Sequence, residues 1–191
     1  DVYKRQALQT DGVSIHGLEN IDFKKPRLFM SNHRDIALDP ALINYAMYQN
    51  GADTIRIAIG DNLLTKSFAS DLMRINKSFI VKRSVSGPRE LLKTLKNLST
   101  YIWHSLHEDG ESIWLAHREG RAKDGVDKTD PAVIKMLTIA KPKSSSLTDY
   151  IRELNIVPVS ISYQYDPCDA LKAHELKTIK QQGSYTKAEH E

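Results

Sequence analysis

The sequence has only one cysteine, Cys168, among its 191 residues. A single thiol excludes an internal disulfide and any zinc site built from several cysteines, and it is typical of a reducing compartment. Long apolar runs are also missing, since no stretch approaches the roughly 20 apolar residues that a membrane-spanning helix needs. We recognise no secretory signal in the sequence, so we expect any membrane contact to be peripheral.

A large excess of charge of one sign is missing as well. The net charge of +3 is too small to indicate nucleic acid binding, and we predict no nucleic acid partner. Between residues 71 and 96, however, seven bases stand against two acids; the bases are Arg74, Lys77, Lys82, Arg83, Arg89, Lys93 and Lys96. Such a patch favours an anionic ligand or an anionic membrane surface, and a solvated helix face explains it equally well.

The length and the apolar content of 40% are typical of one globular domain, which we assign to residues 1–191. The chain does not begin with Met and stops in a polar stretch, so we expect it to be open to extension at either end. Strand-like and helix-like segments alternate, which predicts an α/β fold with a central, mostly parallel or mixed sheet flanked by helices. The predicted strands are 27–30, 54–59, 78–81, 112–116 and 156–163, and the predicted helices are 40–48, 88–107, 131–139, 147–154 and 168–182.

A histidine lies between two acids directly after the first predicted strand. His33 is followed by Asp35 and by Asp39, which we expect to cap a helix that begins at Pro40. Imidazole transfers protons near neutral pH, and a carboxylate beside it fixes its tautomer and stabilises its charged form. The segment therefore predicts a proton-transfer pair in which Asp39 serves His33, with Asp35 as the alternative partner and capping as the alternative role of Asp39.

Cationic and acidic side chains follow two other predicted strands. Lys82 and Arg83 come after the third strand, and a second group follows the fourth strand: Glu119, Gly120, Arg121 and Lys123. Ligand sites of α/β sheets gather at the carboxyl ends of strands. Because arginine clamps phosphate in a bidentate way and lysine adds a point charge, the pattern predicts a site for a phosphorylated substrate with a reactive hydroxyl. No metal site is predicted.

Taken in order, these segments resemble the four motifs of the glycerolipid acyltransferases, which act on glycerol-3-phosphate or lysophosphatidic acid. The first motif, Asn-His followed by Asp, corresponds to Asn32, His33 and Asp39, with one residue more than the usual spacing. The second corresponds to 79–83, the third to 119–121, and the fourth to 156–159 with its proline. The resemblance covers about residues 26–163 and indicates a divergent branch of bacterial type.

The resemblance implies transfer of a fatty acyl group to a hydroxyl in phospholipid biosynthesis, without a cofactor. The donor would be an acyl-CoA or acyl carrier protein thioester, and the acceptor a glycerophosphate or lysophospholipid. His33 would act as general base and Asp39 would orient it, while amides near the start of the helix at Pro40 would support the oxyanion. The acceptor would be held by Lys82, Arg83, Glu119, Gly120, Arg121 and Lys123.

The resemblance also implies a cytoplasmic enzyme, peripheral at the inner membrane surface. Two other functions remain open from the sequence. One is an acyl-thioester hydrolase, in which water replaces the acceptor hydroxyl at the same histidine. The other is a non-catalytic domain that binds anionic lipid, which the irregular spacing before Asp39 prompts.

Overall fold

The computed structural model describes residues 12–61, 71, 73, 75–82 and 85–186. Five strands form one sheet: β1 (Leu28–Ser31), β2 (Arg56–Gly60), β3 (Ser78–Val81), β4 (Ile113–Ala116) and β5 (Ile156–Val159). Their order across the sheet is β3-β2-β4-β1-β5, and each neighbouring pair is parallel. The predicted α/β class with a parallel sheet is therefore confirmed, and β1 and β4 lie side by side at its centre.

Five α-helices accompany the sheet among the described residues: α1 (Leu38–Gln49), α2 (Pro88–His107), α3 (Pro131–Thr138), α4 (Leu147–Glu153) and α5 (Asp169–Gln182). Helix α1 packs on one face of the sheet, and helices α2, α3 and α4 pack on the other. Residues of the central strands alternate between the two cores, with Phe29 and Trp114 facing α1 while Leu28 and Leu115 face α2. A sheet covered on both faces needs such continuous apolar strands.

Helix α2 keeps the predicted bounds, but its apolar stripe is not buried along its whole length. Leu98, Ile102 and Leu106 lie in the core, whereas Leu91 is 44% exposed. A helix of 20 residues spans about 30 Å, whereas a strand of four or five residues spans roughly 13–17 Å. The first turns of α2 therefore extend past the sheet, and Leu91 is exposed there.

The beginning of α1 differs from its prediction. The helix starts at Leu38, and Asp39 lies in its first turn instead of capping it. Ala37 occupies the N-cap position, and Asp35, two residues earlier, supplies the capping oxygen: its Oδ1 accepts hydrogen bonds from the backbone N–H groups of Ala37 at 2.9 Å and Leu38 at 2.8 Å. The carboxylate of Asp39 is thereby left to turn back toward β1.

The last strand is shorter than predicted: it ends at Val159 and does not continue to Tyr163. Just beyond it, the Asn32 side chain binds the backbone of Ile161: Oδ1 accepts from the Ile161 N–H at 2.7 Å, and Nδ2 donates to the Ile161 carbonyl at 2.8 Å. An amide side chain therefore takes the place of a strand partner. Pro158 lies in an edge strand, where a missing N–H is tolerated.

Within the part of the chain that the structure describes, no helix combines the length and the apolar character needed to cross a bilayer.

Candidate active site

His33 and Asp39 form a buried pair just past the carboxyl end of β1. The His33 Nδ1 atom lies 2.9 Å from Asp39 Oδ2. The side chain of Asp39 is fully buried, and His33 as a residue is 8% exposed. Of the two candidate acids, the structure thus pairs Asp39 with the imidazole, while Asp35 caps α1.

The carboxylate of Asp39 accepts four hydrogen bonds. Its Oδ2 accepts from His33, from the N–H of Arg34 at 2.7 Å and from the N–H of Asp35 at 3.0 Å, and its Oδ1 accepts from the Tyr163 hydroxyl at 2.8 Å. Since the two backbone N–H groups on Oδ2 can only donate, this oxygen acts as an acceptor, and we assign the proton between the ring and Asp39 to His33 Nδ1. The lone pair of the imidazole then lies on Nε2, where a base needs it.

Tyr163 is a hydrogen-bond donor in this arrangement because of where it is buried. Burial raises the pKa of its phenol, and the neighbouring Asp39 carboxylate raises that pKa further. The hydroxyl therefore stays protonated and donates a hydrogen bond to Asp39 Oδ1. Tyr163 lies just beyond β5, so the segment after the fourth motif contributes directly to the pair.

The His33 ring is held from the side by the sheet. Trp114 of β4 meets it edge to face, with 5.8 Å between ring centroids. The indole N–H of Trp114 donates to Ser31 Oγ at 2.9 Å, and that hydroxyl donates to the Asn32 carbonyl at 2.7 Å. Ring packing and these two bonds restrict the orientation of the imidazole without using its Nε2 atom.

The loop after β4, residues 117–130, closes onto the loop after β1. The Ala122 N–H donates to the His33 carbonyl at 2.8 Å. Asp127 Oδ2 accepts from Asn32 Nδ2 at 3.0 Å and from Arg34 Nη2 at 2.7 Å. The loop that carries the third sequence motif is therefore hydrogen-bonded to the segment that carries the first.

The predicted acceptor-binding residues have different surroundings. Glu119, Gly120, Arg121 and Lys123 all lie on the loop after β4, and Gly120 has a φ of +71°, a conformation that favours glycine. Lys123 forms an ion pair with Glu175 of α5, so its charge is already matched. Lys82 is exposed after the edge strand β3, which lies two strands from β4, and Arg83 falls outside the described residues.

His117 is a buried histidine of the site that the sequence did not single out for this role. It follows β4 as Asn32 follows β1, since Ser31 and Ala116 are register partners. Its Nδ1 lies 3.2 Å from Thr129 Oγ1, and its Nε2 has no hydrogen-bond partner among the described residues. Burial lowers its pKa, and the nearby charges of Arg118 and His33 lower it further, against the opposing charge of Asp127. His117 is therefore kept neutral near neutral pH.

The backbone amides at the start of α1 are largely occupied. Those of residues 34 and 35 bind the Asp39 carboxylate, and those of residues 37 and 38 bind the Asp35 carboxylate. The expectation that amides here support an oxyanion is wrong for these four. Two acids occupy the helix start because it is a favourable place for negative charge.

Besides His117, three side chains of the site are not predicted from the sequence: Tyr163, Asp127 and Lys172. Each reaches the loop after β1 from a distant part of the chain. No local spacing marks such contacts. Only its burial distinguishes Lys172 from the other lysines of α5, and burial is seen only in the folded chain. Among the described residues, no cluster of three or more His, Cys, Asp or Glu is placed to hold a metal ion.

The sequence model of the Acyltransferase family matches residues 12–162, which include the His33–Asp39 pair and the loop after β4. The chain belongs to the Acyltransferase family. The resemblance drawn from the ordered motifs is thereby confirmed at the level of the family, and this protein is an acyltransferase.

Two further comparisons complete the description of this acyltransferase. No curated protein matches the chain. Among solved structures, the crystal structure of the 1-acyl-sn-glycerophosphate (LPA) acyltransferase PlsC from Thermotoga maritima is similar to it, with 13% sequence identity and a TM-score of 0.40. The match covers 91% of this chain and 73% of that chain.

Proposed function

We propose that this acyltransferase moves a fatty acyl group from an acyl-CoA or acyl carrier protein thioester to a hydroxyl of a glycerophosphate or lysophospholipid. The observation that carries the proposal is the buried His33–Asp39 pair, whose hydrogen bonding leaves the His33 Nε2 lone pair available. Such a pair suits removal of a proton from a hydroxyl. Phospholipid biosynthesis is the process that such a reaction would serve.

In the proposed reaction, His33 Nε2 takes the proton of the acceptor hydroxyl as its oxygen attacks the thioester carbonyl. A C–O bond forms, the C–S bond breaks, and the proton passes from the imidazolium to the leaving sulfur. Asp39 stabilises the imidazolium while it exists. The proposed reaction requires no covalent acyl-enzyme. The lone thiol, Cys168, directly precedes α5, outside the segment that carries His33 and Asp39.

The acceptor's phosphate would lie against the loop after β4. Arg121 is half-buried there, and its guanidinium offers bidentate binding to a phosphate. Lys82 would add charge from the end of the edge strand β3, and Arg83 keeps the phosphate-binding role that the motif resemblance implies. Glu119 would bind an acceptor hydroxyl or order the arginines. Lys123 contributes less charge than the sequence suggested, because Glu175 is already paired with it.

A groove along α1 is suited to the acyl chain. It has a volume of about 250 Å³, and its wall includes Ile36 and Ala37, which follow His33 closely along the chain. Apolar side chains of α1 and β2 form much of its wall, including Ala41, Ile57 and Ile59. Pockets for apolar ligands are lined in this way, and the position of the groove would bring a thioester at its mouth near His33.

We further propose that the enzyme acts in the cytoplasm, as a peripheral protein at the inner membrane surface. The overhanging start of α2 supports this, since exposed Leu91 and Leu92 are followed by exposed Lys93 and Lys96. Apolar side chains beside bases favour an anionic lipid surface.

The test is an assay with palmitoyl-CoA and either lysophosphatidic acid or glycerol-3-phosphate, in which the acylated product is quantified by mass spectrometry. We expect His33→Ala to lower kcat by about 10²–10⁴-fold, the usual contribution of a general base. His16→Ala, which alters an exposed histidine, should leave it unchanged. Equal activity of wild type and His33→Ala would overturn the proposal.

The same assay, together with a vesicle-binding measurement, distinguishes acyl transfer from the hydrolase and the lipid-binding domain considered from the sequence. Release of free fatty acid at a rate that does not depend on the acceptor would identify a hydrolase. Binding to anionic vesicles that is weakened by salt, without turnover of either substrate, would identify a lipid-binding domain.

A further inference from the structure

Lys172 of α5 is a buried lysine whose ammonium group contacts the loop that carries His33. The residue is 4% exposed. Its Nζ atom donates to the carbonyl of Arg34 at 2.8 Å and to Asp166 Oδ2 at 2.8 Å. Burying an ammonium group is costly unless it is paired, so this placement needs both partners. Helix α5 also lies beyond residues 12–162, the part that the family comparison covers.

The peptide group that joins Arg34 to Asp35 is bound on both sides. Its carbonyl accepts from Lys172, and its N–H donates to Asp39 Oδ2 at 3.0 Å. The same Oδ2 atom is bonded to His33 Nδ1. Three hydrogen bonds therefore lead from the Lys172 ammonium to the imidazole, and a cation at the carbonyl polarises the peptide and strengthens the bond that its N–H makes.

The preceding peptide group, between His33 and Arg34, has the same arrangement. Its carbonyl accepts from the Ala122 N–H at 2.8 Å, and its N–H donates to Asp39 Oδ2 at 2.7 Å. Two consecutive peptides thus converge on one carboxylate oxygen. A neutral backbone amide supports the first peptide, and the charged group of Lys172 supports the second.

We propose that Lys172 is a positioning residue for proton transfer: it holds the Arg34–Asp35 peptide so that its N–H fixes the Asp39 carboxylate and, through it, the His33 ring. Helix α5 therefore helps to position the His33–Asp39 pair through Lys172. The ion pair between Lys123 and Glu175 ties the same helix to the loop after β4. This inference rests on the proposed function, because it takes His33 as the base.

The experiment compares Lys172→Met with Lys177→Met, which removes an exposed lysine from the same helix. Methionine keeps much of the apolar stem and removes the donor. Because misplacement of a reacting group by about 1 Å costs about 100-fold in rate, we expect kcat to fall by roughly that factor in Lys172→Met, with little change in KM for donor or acceptor. Lys177→Met should match the wild type in both constants.

A second measurement follows the peptide itself. Amide hydrogen exchange of Asp35, measured by NMR, should be faster in Lys172→Met than in the wild type, because the peptide loses one of its two bonds. Asp166→Asn removes the charge next to Lys172, so we expect it to lower the free energy of unfolding. Its amide oxygen still accepts from Lys172 Nζ, and Lys172 still donates to the Arg34 carbonyl, so the kcat of the folded variant should stay close to that of the wild type. Should Lys172→Met fail to fold, Lys172→Arg and Lys172→Gln replace it, and the cationic arginine should retain the higher kcat.

The outcomes separate this inference from the proposed function. If His33→Ala is inactive while Lys172→Met matches Lys177→Met in kcat and in Asp35 exchange, the role of Lys172 is overturned and the proposed function stands. An Asp166→Asn enzyme as impaired as Lys172→Met would also overturn it, since the ion pair would then be what matters. If the wild type transfers no acyl group, the proposed function fails, and the exchange of the Asp35 amide still decides whether Lys172 holds the loop.

Discussion

At the scale of single residues, the two acids that follow His33 have separate tasks. Asp39 accepts the imidazole N–H and two backbone amides, whereas Asp35 caps α1. Capping needs an oxygen that accepts hydrogen bonds, and an asparagine supplies one. Stabilising an imidazolium needs a negative charge, which asparagine lacks. The same isosteric change should therefore have different effects at the two positions.

We expect Asp39→Asn to lower kcat for acyl transfer by roughly 10²–10⁴-fold, since it removes the charge that supports the base. Asp35→Asn is the matched control and should retain most of the activity, because its side-chain oxygen still accepts from the amides of Ala37 and Leu38. Steady-state kinetics with palmitoyl-CoA check both variants. A larger loss in Asp35→Asn than in Asp39→Asn would contradict the assignment.

Tyr163 gives a second prediction at this scale, on stability. Tyr163→Phe removes the hydroxyl that bonds Asp39 Oδ1 and leaves that oxygen of a fully buried carboxylate without its partner. Such a loss costs about 1–3 kcal/mol. Urea unfolding should show a decrease of this size in the free energy of unfolding. Tyr165→Phe, at a residue that is 79% exposed, should show almost none.

At the scale of elements, the predicted ranges of the helices and strands are close to those of the structure. Where a predicted boundary is wrong, the difference has a physical cause. The predicted helix 88–107 agrees with α2 at both ends. The start of α1 was placed too late because Asp-Pro is a common helix opening, while the acid that caps the helix stands four residues before Asp39. The end of β5 was placed too late because the side chain that takes over from a strand partner, Asn32, is 129 residues away.

The groove along α1 leads to a prediction about acyl chain length. Ala41→Phe would place a ring in the groove, so we expect a greater loss of activity with palmitoyl-CoA than with octanoyl-CoA. Overpacking costs about 1–3 kcal/mol, and a thermal melt establishes that the variant is folded. Gln49→Phe, at an exposed position of the same helix, is the control. Equal losses with both donors would place the acyl chain elsewhere.

At the scale of the whole molecule, the site joins segments from most of the described chain. Tyr163 reaches Asp39 across 124 residues, and Lys172 reaches Arg34 across 138. The His33–Asp39 pair is recognisable because proton transfer needs these residue types close in space, and here they also lie only six positions apart in the sequence. The side chains that hold the pair in place are not recognisable from the sequence. A tyrosine or a lysine is suited to many positions in a protein, and only the folded chain shows which contacts it makes.

We expect His117 to contribute to the pH dependence of the free energy of unfolding of the whole molecule. Burial keeps the folded-state pKa of His117 below its ordinary value of about 6.5, so below that pH the unfolded chain binds a proton that the folded chain does not. His117 therefore contributes stability above about pH 6.5, and that contribution is lost as the pH falls toward the folded-state pKa. We expect the free energy of unfolding to decrease less between about pH 7.5 and about pH 5 in His117→Asn than in the wild type.

Urea unfolding at the two pH values checks this prediction, with His16→Asn as the control because His16 is exposed. The control should keep the pH dependence of the wild type. The comparison is made within each protein, so it does not depend on how much His117→Asn destabilises the fold at neutral pH through the lost contact with Thr129. An unchanged pH dependence in His117→Asn would mean that His117 takes up its proton in the folded protein as readily as in the unfolded chain, which its burial beside His33 and Arg118 argues against.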